Sequence, residues 1–160
     1  MNTIELMDRI AGATEVKKRA ITALSVLNEA YEYPKPSSFS RGLRVDLGSV
    51  AILLISGTAS IDGHGQSVHI GDFRGQLRRT YQNITGLLAA EGATWKDIVR
   101  TSCYLRDIER DYAAFNEGRT EFFREQELDP LPASTGIQAI LCRPELLVEI
   151  EAIAILMTGN

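Results

Sequence analysis

Two carboxylates stand two residues apart in Val148-Glu-Ile-Glu-Ala152. Alternate side chains of an extended strand share a face, about 6 to 7 Å apart, so Glu149 and Glu151 would lie side by side. Proximity of like charges raises the pKa of one member of such a pair. A carboxyl tuned toward neutral pH can hold a water molecule and pass protons during a hydrolysis. A plainer reading also fits: the polar face of a last strand whose Val148 and Ile150 point into a core.

Other reactive residue types carry less. His64 and His69 lie near Asp62 and Asp72, but without the spacing of a metal site, and no metal is expected. Ser56 lies in Leu54-Ile-Ser-Gly-Thr58, which is not the G-x-S-x-G nucleophile elbow, so serine hydrolysis is not expected. Arg74, Arg78 and Arg79 form a basic patch, yet the formal charge of -4 and the lack of an aromatic stacking set argue against a nucleic-acid partner. Cys103 and Cys142 fall in apolar segments and read as buried free thiols in a reducing compartment. The acidic N-terminus and the short apolar runs, Val50 to Ile55 among them, point to a cytoplasmic chain that does not enter a membrane.

These residues need a scaffold. With 160 residues, 44% hydrophobic and 24% charged, the chain can build one domain around a real core. Ile4, Met7, Ile10, Ala20, Leu24, Leu27 and Tyr31 recur at spacings of three and four, which predicts an amphipathic helical extension, split at Gly12 and capped again at Thr14. Tyr33-Pro-Lys-Pro-Ser-Ser-Phe39 then reads as a connector, so residues 1–38 form the extension and 39–156 the main domain.

In the main domain, Leu43 to Ile55 predicts a hairpin about Asp46-Leu-Gly-Ser49, with Ser56 and Gly57 at the strand exit. Asp72 predicts the cap of a helix with the stripe Phe73, Leu77, Tyr81, Ile84 and Leu88, ending at Gly92. A strand over 98–105, a helix over 110–125 and strands over 134–140 and 147–156 complete the order β-β-α-β-α-β-β, an α+β (mixed α/β) class. Two helices on one face leave the other face of the sheet bare, which predicts an oligomer.

Phe39-Ser-Arg-Gly42, Leu54-Ile-Ser-Gly-Thr58, Asp97-Ile-Val-Arg-Thr101, Tyr104-Leu-Arg-Asp107, Asn116 within Tyr112-Ala-Ala-Phe-Asn-Glu, and Val148-Glu-Ile-Glu-Ala152 resemble, in order and spacing, the RidA/YjgF proteins. The resemblance implies a chorismate-mutase-like fold, a homotrimer built round a barrel, and a cleft at each subunit interface. It implies hydrolysis of reactive enamines and imines to carbonyl compounds and ammonia, without metal or organic cofactor. The alternative is a non-catalytic trimeric module that binds a metabolite.

By the same resemblance Glu149 orders the attacking water, Ser56 and Gly57 line the cleft, and Asn116 lies close to it. Phe39 stands where many relatives have a lid tyrosine. Ser134 stands where deaminating relatives carry an arginine for the substrate carboxylate, and Gly136 where relatives often have cysteine. Neither a hydroxyl nor a backbone N–H replaces a guanidinium fork. Arg41 or Arg143 would then supply the cation, or the substrate lacks a carboxylate.

Overall fold

The computed structural model describes residues 16–158. They form one mixed six-stranded sheet with two helices. The strands are β1 (Lys17–Ala20), β2 (Gly42–Asp46), β3 (Val50–Ala59), β4 (Ile98–Leu105), β5 (Ala133–Gln138) and β6 (Val148–Met157), and the helices are α1 (Phe73–Ala89) and α2 (Ile108–Glu125). The spatial order is β1-β2-β3-β6-β4-β5; every pair is antiparallel except β4 with β5. From β2 onward the elements follow the predicted order β-β-α-β-α-β-β. No helix among the described residues is long and apolar enough to cross a membrane.

Both helices start where a short acid can accept from the exposed N–H groups of a first turn. Asp72 accepts from the Gly75 amide and Asp107 from the Arg110 amide, each at 3.0 Å. The buried side of α1 (Leu77, Tyr81, Ile84, Leu88) packs with Leu53 and Ile55 of β3, Val148, Ile150, Ala152 and Ala154 of β6, and Phe115 of α2 in one core. Tyr81 stacks on Phe122 with ring centroids 4.3 Å apart, and Trp95 meets both edge-on.

The helical extension needs correction. Residues 1–15, with Gly12, Thr14 and the first apolar positions, lie outside the described residues. From Lys17 the chain is not an α-helix: β1 pairs with β2, Lys17 opposite Asp46 and Ala20 opposite Leu43, and only a short 3-10 turn follows at Ala30–Glu32. Of the predicted stripe Ala20, Leu24, Leu27 and Tyr31, only Leu27 is buried; Ile21, Ala23 and Ala30 share the interior with it. A strand edge on β2 offers unpaired N–H and C=O groups, and satisfying them outweighs a weak helical period.

A second difference lies in β3. Ser56 and Gly57 were expected at its exit, but the strand continues to Ala59, with a register shift against β6 between Ile55 and Thr58. The irregularity sits in the strand at the place where it passes the carboxylate of Glu149.

Alternation splits the central strands cleanly. Ala51, Leu53 and Ile55 of β3 and Val148, Ile150, Ala152 and Ala154 of β6 face the helices. Their neighbours Ile52, Leu54, Ile153 and Ile155 lie on the opposite face, where Leu54 is 41% and Ile155 44% exposed. Glu149 and Glu151 share this helix-free face with Ser102 and Tyr104 of β4, which sit opposite Glu151 and Glu149 in register.

Candidate active site

A cleft of about 870 Å³ opens beside the β3–β6 end of the sheet. It is lined by Phe39, Arg41, Ser56, Gly57, Arg143 and Glu149, six of the residues singled out from the sequence, together with Tyr33, Glu145 and Glu151. Strand pairing gathers them. The Ser56 amide donates to the Arg41 carbonyl at 3.1 Å and its hydroxyl to the Ser40 carbonyl at 2.7 Å, so β2 and β3 present Arg41 and Ser56 together. Ala59 lies opposite Glu149 in the β3–β6 register.

Glu149 is half-buried. Burial first, and then the negative charge of Glu151, raise its pKa above the ordinary carboxylate range. The Tyr104 hydroxyl donates to Glu151 at 3.0 Å, which pushes the Tyr104 phenol up and leaves Glu151 engaged while Glu149 faces the cleft. Gly57 makes room for this arrangement. A Cβ built there would overlap Glu149 Oε1 and lie 3.1 Å from its Cδ. Gly57→Ala should therefore fold, since the φ of this glycine is not in the left-handed region, but turn the Glu149 carboxyl away. The expected result is an unchanged circular dichroism spectrum with, in a crystal structure of the variant, the Glu149 carboxyl displaced from its place beside residue 57.

The wall opposite β3 is the turn between β5 and β6, and two polar side chains hold it. Arg106 donates to the carbonyls of Leu146 and Arg143, each at 2.6 Å, and of Leu141 at 3.2 Å. Gln76, fully buried on α1, donates to the Glu145 carbonyl and accepts from the Leu147 amide. A turn without regular structure thereby has its backbone polar groups satisfied and its side chains fixed.

Asn116 and Ser134 are not part of this cleft. They line a separate cavity of about 500 Å³ between the last turns of α2 and the start of β5. Here Arg119, which sequence reasoning missed, donates to Asn116 Oδ1 at 2.7 Å and to the Ser134 hydroxyl at 3.3 Å, with its guanidinium 4.8 Å from the Phe115 ring centroid. The parallel β4–β5 pairing, which sets Ser134 opposite Thr101, brings Ser134 within reach of Arg119. Gly136 has open space around its missing side chain.

One other assignment changes, that of Cys142. Cys103 is buried and its thiol is pushed up by burial, but Cys142 is exposed on the cleft wall, not in the core. Asp62 accepts from the amides of His64 and Gln66 and so serves its own loop, while Asp72 serves as a helix cap. In the basic patch, Arg74 pairs with Glu117 and Arg79 donates to the Ile61 carbonyl.

Residues 35–156 match the family model described as Endoribonuclease L-PSP. A RutC family protein of Pyrococcus abyssi is 30% identical over 122 residues, 76% of this chain and 89% of that one. The 3-aminoacrylate deaminase RutC of Acinetobacter baylyi is 33% identical over 103 residues, 64% of this chain and 78% of that one. Among solved structures, the YjgF gene product of E. coli superposes with a TM-score of 0.67 at 26% identity, covering 85% of this chain and 97% of the other. E. coli TdcF with bound serine gives 0.64 at 25%, covering 82% and 98%. A full-domain family match, two sequence relatives and the shared fold agree: the chain belongs to the RidA/YjgF family, the family of the endoribonuclease L-PSP model.

Proposed function

We propose that this protein hydrolyses an enamine or imine to a carbonyl compound and ammonia, with Glu149 as the proton-transferring group. The observation that carries the reading is the half-buried Glu149 carboxyl, raised in pKa and seated against the bare backbone of Gly57 on the cleft wall. Glu149 takes a proton from a water as the oxygen adds to the C=N carbon, and returns it to the nitrogen. The hydroxyl proton of the carbinolamine then passes by way of Glu149 to the same nitrogen, so that the C–N bond breaks, C=O forms and ammonia leaves; an enamine first gains a proton at carbon and loses one from nitrogen to become the imine. Ser56 and Gly57 line the cleft beside the Glu149 carboxyl, and Phe39, 41% exposed, offers the substrate an aromatic face on the cleft wall.

Family relationship supports this reading. A relative acts on 3-aminoacrylate, an enamine, and another holds a bound serine. The helix-free sheet face, with its exposed Leu54, Ile137 and Ile155, supports a homotrimer in which the Asn116–Arg119–Ser134 surface of one subunit faces the Glu149 cleft of the next. Ser134 in place of an arginine then alters substrate choice.

The test generates 2-iminopropionate and carboxylate-free imines in situ and follows ammonia release. Wild type should accelerate at least one above the buffer rate, and light scattering should give three chain masses. No acceleration across the panel would leave a metabolite-binding module as the better description.

A further inference from the structure

We infer that the end of the cleft formed by Tyr33, Arg41 and Arg143 is an anion subsite, which takes a carboxylate-sized group of the substrate while the reacting carbon lies toward Glu149. The inference rests on the reading of this cleft as the substrate site, and it assigns the substrate an anionic class.

Two guanidinium groups line one cleft. Arg41 is 4% exposed, donates through Nε to the Asn28 carbonyl at 3.1 Å, and has a buried Nη2 with no hydrogen-bond partner among the described residues. Its guanidinium carbon lies 5.0 Å from the Tyr33 ring centroid and 5.4 Å from that of Phe39, so the group is held between two rings. Tyr33 has a buried hydroxyl that is also unpartnered among the described residues. Arg143 approaches the same Tyr33 ring at 6.0 Å and donates through Nη1 to the Gly65 carbonyl at 2.7 Å and the Ser67 hydroxyl at 3.2 Å. Gly65, at φ +76°, carries no side chain that would strike the Tyr33 ring.

An unsatisfied buried donor is costly, and two like charges in one partly dry site repel. Burial lowers the Arg41 pKa, Glu29 opposes it, and Arg143 lowers it by a smaller amount. Arg143 also acts on Glu145, whose carboxyl is lowered first by the Ser67 hydroxyl. Yet neither arginine forms an ion pair within 4.0 Å among the described residues, whereas Arg44 and Arg110 do. An anion between Arg41 and Arg143 would satisfy the orphan Nη2, accept from the Tyr33 hydroxyl and relieve the repulsion. The opposite end of the cleft is acidic, with Glu149 and Glu151, so a substrate anion has one orientation to adopt.

Calorimetric titration of the full-length protein with pyruvate and with neutral pyruvamide tests this. Wild type should prefer the carboxylate by about ten- to a hundredfold, the range for a charged hydrogen bond. Arg143→Gln should remove most of that preference and Arg143→Lys part of it, with Arg41→Gln acting likewise. Arg74→Gln, which removes a charge outside both cavities, should retain it. Arg143 is only partly buried, so its variants decide the matter if Arg41→Gln fails to fold. The subsite is overturned if wild type shows no preference, binding of neither compound included, or if Arg119→Gln abolishes the preference while Arg143→Gln keeps it. Ammonia release is read separately: a carboxylate preference without turnover upholds the subsite and removes the hydrolase, and turnover without the preference does the reverse.

Discussion

Glu149→Gln should lower kcat for ammonia release by about 10²- to 10⁴-fold, the usual contribution of a positioned acid–base group. The amide has the shape of the carboxyl and fits beside Gly57, but it can neither take the proton from water nor return it to nitrogen. Folding should survive, because Glu149 lies on the helix-free face and its removal leaves no buried partner unpaired. The pH profile separates this from a packing effect. Glu149 must be ionised to accept a proton, so wild-type activity should fall as pH drops through a pKa that burial and Glu151 have raised above the ordinary carboxylate range. The glutamine variant should lose that acid limb along with the rate. A variant within threefold of wild type would remove Glu149 from the chemistry.

Leu27→Ala should destabilise the protein by about 2 to 5 kcal/mol, the range for emptying a buried leucine site. Leu24→Ala should change stability by less than about 0.5 kcal/mol. Leu27 is fully buried and Leu24 is 66% exposed. An amphipathic helix carrying both on one stripe predicts similar costs for the two changes, so chemical denaturation at a fixed protein concentration distinguishes the arrangements. Equal effects would contradict the burial of this segment in the main core.

Glu149 and Glu151 were legible because a strand with strict alternation fixes which side chains share a face, whatever lies around it. The cap Asp72 and the stripe of α1 are local in the same sense, and they stand where periodicity places them. Arg119 was not legible: nothing about its position on α2 says that a strand fifteen residues later will bring Ser134 beneath its guanidinium. Cys142 misled for a related reason. Its apolar neighbours suggested burial, but it lies on a turn pinned from outside by Arg106 and Gln76.

What the sequence determined by itself is therefore the order of elements from β2 to β6, the burial of α1 and β6, and the pairing of the two carboxylates, all set by period and capping within short windows. Tertiary structure alone decided that residues 17–20 join the sheet as β1, that Tyr33 walls the cleft, and that Asn116 and Ser134 stand in a second cavity apart from Glu149. These outcomes depend on which strand edges and buried donors find partners far along the chain, and residue spacing carries no record of that.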